Sequence, residues 1–299
     1  MAGEIPFVKE MEFEYDAAAE VAPGLRRIVA NNPGPFTYFG TNTYVVGAGE
    51  VAILDPGPAD AAHIAAIRDA VKGERVSHIL VSHTHLDHTA GLPLLREIFD
   101  APVYAFGPHL TPPSAGQPEG GADYDFRPDV SLADGEEIGG DGWTLEAVHT
   151  PGHCANHLCF ALRESELLLS ADHVMGWSTT IVSPPDGDMA AYMASLDKLL
   201  TRHEATYFPG HGPQIDEPQP FVEAYRAHRL ERERQILACL ERGPQTIMQM
   251  VEVIYADQPA HIHPAAARSV YSTLIYMAAR GLVASENGEA TAEAVYRLP

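Results

Sequence analysis

Four apolar runs in this 299-residue chain each end in residues able to bind a metal ion, and that repetition constrains the fold more than any other feature. Ile79-Leu80-Val81 runs into His83-Thr84-His85-Leu86-Asp87-His88, where four candidate ligands fall within six residues. Leu145-Glu146-Ala147-Val148 leads to His149-Thr150-Pro151-Gly152-His153. Leu167-Leu168-Leu169 leads to Ser170-Ala171-Asp172-His173, and Tyr207-Phe208 to Pro209-Gly210-His211-Gly212. Short apolar runs bounded by turn residues read as buried strands. Strand ends facing the same way bring distant residues to one rim, so the pattern predicts one site assembled from four segments.

Imidazole and carboxylate ligands suit Zn²⁺, and a catalytic ion must keep a position open for water or substrate. Iron and manganese accept the same donors. The natural partition places His83, His85 and His153 on one ion and Asp87, His88 and His211 on another, with Asp172 bridging the two. Two ions about 3.5–4 Å apart would share a water and clamp both sides of a displacement. Zinc lowers the pKa of such a water to about 7, so a bridging hydroxide is available at neutral pH. Asp87 carries the catalytic expectation, because a carboxylate beside that water can accept or orient a proton. A lone His-x-His says little in a chain with 15 histidines. His109, His203, His228, His261 and His263 have no ligand set around them and read as surface or packed residues. Cys154, next to His153, reads as a packing residue.

The formal net charge of −22 opposes general attraction to nucleic acid or anionic membranes. A small-molecule substrate is therefore expected, with RNA disfavoured. The three cysteines form no CxxC pair and are too few for a disulfide framework. No segment approaches transmembrane length, and the start of the chain has the wrong flanks for a signal peptide, so a cytoplasmic location is expected.

Two parts are expected, residues 1–217 and 218–299. In the first, Thr43–Val46 and Val51–Leu54 flank a Gly-containing turn and read as a hairpin. Helices are expected over 60–71, 92–99 and 188–203, and strands over 79–81, 103–106, 145–148, 157–162 and 167–169. The Pro/Gly-rich interval 107–128 reads as a loop at the substrate entrance. In the second part, 221–242 is a long charged helix whose Arg226, Arg229 and Arg232 read as a solvated face paired with glutamates. Two shorter helices and a Gly-containing hairpin follow, in winged-helix order. Arg268, Arg280 and Arg297 stand against Glu252, Asp257, Glu286, Glu289 and Glu293, so this tail lacks the basic face of a nucleic-acid reader. Packing, or a homodimer through the C-terminal domain, is the expected role.

The Leu54-Asp55-Pro56-Gly57 turn, the His-x-His-x-Asp-His cluster, His153 in His-Thr-Pro-Gly-His, Asp172 and His211 in Pro-Gly-His-Gly together resemble the metallo-β-lactamase superfamily. The resemblance implies a four-layer αβ/βα sandwich of the α+β class with metals at one edge. It also implies a structural role for Asp55 in holding the histidine loop. Beyond the core, residues 172–196, 208–215 and 228–237 and the winged tail are similar to the β-lactamase-like protein 2 group, which includes single-strand endoribonucleases. His157 and His173 are candidates for supporting or substrate-contacting roles beside the ligands. The expected activity is a dinuclear zinc hydrolase acting on a small ester, thioester, lactone or amide, a reading that assumes no basic groove. The alternatives are a metal-dependent endoribonuclease and a non-enzymatic, metal-stabilised association module. The superfamily name alone does not establish β-lactamase activity, since one fold hosts many chemistries.

Overall fold

The computed structural model describes residues 5–113 and 121–299. Residues 114–120 of the expected entrance loop lie outside the described residues. A seven-stranded sheet runs in chain order through β1 (Ala18–Ala22), β2 (Leu25–Val29), β3 (Asn42–Ala48), β4 (Glu50–Leu54), β5 (Arg75–Leu80), β6 (Val103–Ala105) and β7 (Val130–Ser131). Its first four strands pair antiparallel and the rest parallel. Parallel neighbours need crossovers. Helix α1 (Ala61–Ala70) makes the one between β4 and β5; the short α2 (Leu86–Thr89) and α3 (Leu92–Arg96) lie between β5 and β6.

The second sheet holds β8 (Glu137–Gly140), β9 (Trp143–His149), β10 (Leu158–Leu162), β11 (Leu167–Ala171) and β12 (Thr206–Pro209) in the order β12-β11-β10-β9-β8. Helix α4 (Met189–Leu200) joins β11 to its parallel neighbour β12. Asp60 and Asp188 start α1 and α4 by accepting the N–H groups of Ala62 and Ala191.

Strand side chains alternate between faces, and this builds four layers from two sheets. Tyr44, Val46, Leu54 and Leu80 face Leu145, Ala147, Phe160 and Leu169 across the sandwich. The intervening Val45, Ile53 and Ile79 face outward onto Ile64 and Ile67 of α1 and Leu95 of α3. On the opposite side, Val148, Cys159 and Leu168 pack on Tyr192 and Leu196 of α4, together with Phe221 and Tyr225 of α5 (Pro218–Leu240).

Helix α5 belongs to two cores. Its second half gives Ile236, Cys239 and Leu240 to a separate cluster with α6 (Ile247–Ile254), α7 (His263–Ala279) and the small sheet of β13 (Gln245–Thr246), β14 (Ala284–Ser285) and β15 (Val295–Arg297). The helix starts at 218 rather than 221 because Pro218 takes a first-turn position where a missing N–H costs nothing.

One expectation about α5 is corrected. Arg226, Arg229 and Arg232 do not form a solvated face paired with glutamates of the same helix, although Arg234 does pair with Glu231. Arg226 pairs with Asp197 of α4 at 2.6 Å. Arg229 is buried, donates to the Thr180 carbonyl and lies over the Tyr192 ring. Arg232 is half-buried against Tyr255, 4.3 Å from its ring centre. Helical spacing could not reveal this, because neighbours on several sides cover α5.

Candidate metal centre

Each candidate ligand sits just past a strand end. His83 and His85 follow β5, and α2 then carries Asp87 and His88 back over the same rim. His153 follows β9, Asp172 follows β11 and His211 follows β12. Two of the turns use left-handed backbone at non-glycine residues, Asp55 at φ 55° and Ala171 at φ 42°. Such strain persists only where the surroundings hold it, and both positions flank the site. Gly210 has a different cause: a Cβ there would lie 2.5 Å from Asp172 Oδ1 and 2.9 Å from the His88 ring.

The structure brings all seven residues together. His83 Nε2, His85 Nδ1 and His153 Nε2 converge, with His85 Nδ1 at 3.1 and 3.0 Å from the other two. Asp87 Oδ2 lies 3.1 Å from His211 Nε2 and 3.7 Å from His88 Nε2. Asp172 stands between these groups. Its Oδ2 is 3.9 Å from His83, 3.7 Å from His153 and 3.4 Å from His211, and its Oδ1 is 3.6 Å from His88.

The donor set fits a metal. Nε2 of His88, Nε2 of His211 and Oδ1 of Asp172 are buried without an aligned hydrogen-bond partner among the described residues. Buried polar atoms are ordinarily satisfied, so a convergent set of orphans calls for an ion. The outward nitrogens are held instead. His83 Nδ1 meets Ser82 Oγ at 3.0 Å, His88 Nδ1 meets Asp55 Oδ2 at 2.9 Å, His153 Nδ1 meets the Ile181 carbonyl at 2.8 Å, and His211 Nδ1 meets the Gly40 carbonyl at 3.2 Å. Such contacts select the tautomer whose inner nitrogen carries a free lone pair. His85 is reversed: its Nδ1 faces the cluster and its Nε2 faces outward.

Burial pushes the imidazole of His83 well below its ordinary pKa, and burial with the neighbouring His153 brings His85 to about 3. Both are therefore neutral donors. Burial alone would raise Asp87 and Asp172 and lower His88 and His211. The acids and the imidazoles oppose this in each other, holding the carboxylates down and the His88 and His211 rings protonated, charge that a bound cation would replace as it takes up their lone pairs. The fit to a divalent cation is electrostatic as well as geometric.

Asp55 does not join the convergent atoms. It accepts the Ser82 N–H and hydroxyl and holds His88. His157 lies behind Asp172: the Asp172 N–H donates to its Nε2 at 3.2 Å, so Nδ1 carries the proton toward Thr150 Oγ1 at 2.9 Å. His173 stays out of the cluster, its buried ring against Tyr192 and its carbonyl accepting from the Tyr192 and Thr180 hydroxyls. Cys154 is buried beside Asn156, and burial raises its thiol well above the ordinary value.

Sequence reasoning missed Asp186. Its Oδ1 accepts the Thr111 hydroxyl at 2.7 Å, and its Oδ2 lies 3.8 Å from the outward Nε2 of His85. The signal was a carboxylate inside the Pro184-Pro185-Asp186-Gly187 turn, which nothing local ties to a histidine 101 positions earlier. Asp186 joins Phe36, Met175, Ile181 and Ser183 around a narrow pocket of about 40 Å³ over the centre.

The profile of the Metallo-beta-lactamase superfamily matches residues 36–211, more than half of the chain and all seven clustered residues. The chain belongs to this superfamily. The profile of the beta-lactamase associated winged helix domain matches residues 246–291. This superfamily member is 33% identical over 279 residues to a Beta-lactamase-like protein 2 homolog of Caenorhabditis elegans, covering 90% of this chain and 89% of that one. It is 33% identical over 260 residues to an Atrochrysone carboxyl ACP thioesterase of Aspergillus fumigatus, covering 81% and 76%. A Beta-lactamase domain protein from Burkholderia ambifaria shares its fold with a TM-score of 0.79 at 20% identity, over 97% of this chain and 96% of that one. The four-layer architecture and C-terminal winged helix are those expected, and the family makes this chain a hydrolase. Among the described residues no helix is long and apolar enough to cross a membrane.

Proposed function

We propose that this hydrolase uses two zinc ions to cleave a small acyl substrate, a thioester foremost. The observation that carries the reading is Asp172, whose carboxylate faces both three-residue groups within 3.4–3.9 Å and so suits a bridge. His83, His85 and His153 would hold one ion and Asp87, His88 and His211 the other. Bound there, zinc would polarise the scissile carbonyl and supply a nucleophile at neutral pH. Asp87, whose Oδ2 faces His211 at the pocket, would orient or accept the proton of the attacking water. Phe36, Met175 and Ile181 provide an apolar wall suited to an acyl chain, and the relatives named as thioesterases support that bond type.

The test is hydrolysis of an ester, thioester and lactone panel by zinc-loaded protein, with Asp87→Ala alongside. Thioester turnover by wild type and a loss of most activity in the folded variant are expected. Equal turnover by the two proteins would sink the assignment. The second reading, a metal-dependent single-strand endoribonuclease, draws on the near full-length likeness to β-lactamase-like protein 2 homologs and on arginines beside the centre. Cleavage of end-labelled single-stranded RNA by wild type alone, without thioester turnover, would put it first.

A further inference from the structure

A second cavity of about 280 Å³ lies beside the metal pocket, between α5, α7 and the segment 178–183. Ile181 and Ser183 line both cavities, so one short stretch of chain forms their common wall. That wall is tied to the centre, since the Ile181 carbonyl holds His153 and the Thr180 hydroxyl reaches the Asp172 carbonyl.

The lining is the reverse of the chain's overall balance. The protein has 41 acidic and 19 basic side chains. Yet Arg229, Arg232 and Arg268 face this cleft with His228, and among the described residues no carboxylate lines it. The expectation that no basic groove exists is corrected here. Arg229 is 6% exposed, and neither its Nε nor that of Arg232 has a hydrogen-bond partner among the described residues. Nδ1 of His228 is likewise without one. Those three nitrogens are closed off from the cleft itself, so an anion there would answer the guanidinium charge of a lining that holds three arginines and, among the described residues, no carboxylate. Burial, with the Arg229 charge nearby, works against the charge on Arg232.

We propose that this cleft binds the phosphate end of the substrate, on a flexible arm whose acyl thioester reaches the metal pocket. The chemistry is that of a phosphopantetheine-type arm, carried by coenzyme A or by a carrier protein. This inference rests on the acyl-hydrolase reading above. Water adds to the thioester carbonyl and the C–S bond breaks, giving a carboxylic acid and a free thiol. A short cationic cleft in an acidic protein suits one or two phosphates. A polynucleotide would need a longer basic track to follow its backbone.

The test compares one acyl group on coenzyme A, on a carrier protein and on phosphate-free N-acetylcysteamine, using the full zinc-loaded chain. Arg232→Ala should lower kcat/KM for at least one phosphate-bearing thioester about tenfold relative to the phosphate-free one, as loss of a charge-assisted contact predicts. The preferred carrier is the one with the larger loss. Arg226→Ala, outside the cleft and paired with Asp197, should leave the ratio alone. Calorimetric titration with coenzyme A reads the cleft without turnover. An Arg232-dependent affinity with no thioester hydrolysis would keep the cleft and reject the acyl reading. Thioester hydrolysis with an unchanged ratio would keep the acyl reading and reject the cleft. Single-stranded RNA displacing coenzyme A through Arg232 at lower concentration would overturn the proposal for a polynucleotide. If Arg232→Ala fails to fold, Arg268→Ala at the exposed mouth makes the same comparison.

Discussion

Asp55 Oδ2 lies 2.9 Å from Nδ1 of His88, and the same carboxylate accepts the N–H and hydroxyl of Ser82. One buried side chain thus ties the end of β4 to the loop after β5 and turns His88 Nε2 inward. It does so from left-handed backbone at φ 55°. A strand terminus has become the support of a candidate ligand in a cluster it does not itself join.

Asp55→Ala should therefore weaken zinc binding at the Asp87–His88–His211 group by about 10- to 100-fold, the usual cost of removing a ligand's outer partner. Competition with a chromogenic chelator measures this directly. Wild-type affinity for two ions in the variant would reject the role.

Removing the metal should destabilise the whole chain. Ions that bind only the folded state shift unfolding by mass action. Exhaustive chelation should lower Tm, and added zinc should restore it in a concentration-dependent way. A Tm indifferent to free zinc would count against any site here.

The α5 helix holds the segment that follows Asp172, the proposed bridging carboxylate. Arg229 donates to the Thr180 carbonyl, and the Tyr225 hydroxyl lies against the carbonyls of Met175 and Ser178. Arg229→Met should cost roughly 2 kcal/mol of stability, from one charged hydrogen bond and a ring contact. It should also loosen zinc, because Ile181 and Asp172 lie in or beside the freed segment. A stability loss with unchanged zinc affinity would confine Arg229 to packing.

A cluster away from the centre gives a pH signature. Hydrogen bonds from Arg202 at 3.1 and 2.7 Å hold the Glu146 carboxyl below its ordinary 4.5. Its folded pKa is depressed, so the stabilisation is complete above the unfolded value and disappears as pH falls through the folded one. Glu146→Gln should be about 1 kcal/mol less stable at pH 7, with a gap that narrows below pH ~4.5. Denaturation curves of both proteins across that range check the sign; a constant gap would contradict it.

Much of the frame was legible along the chain. The hairpin around Gly47-Ala48-Gly49, the helices capped by Asp60 and Asp188, and the winged-helix order of the tail all follow from local turn chemistry and periodicity. Strands β1, β2, β7, β8 and β13 were not read. β7 and β13 are only two residues long, and β1, β7 and β8 lack a fully buried face, so they carry little apolar signal. Helix α3 ends at Arg96, short of the expected 99, as its apolar stripe continues into a turn.

The sequence by itself determined the donor types, their spacing and their place after strand-forming runs, because each is a property of contiguous residues. Only the tertiary structure decided which nitrogen of each imidazole faces inward, why His85 is reversed, that His157 supports Asp172 from behind, and that Asp186 stands beside the histidines. It also decided that Arg229 and Arg232 turn into a cleft rather than toward solvent. These features depend on partners brought in by folding, such as Gly40 beside His211 and Thr180 beside Arg229, and no local pattern encodes burial against a distant segment.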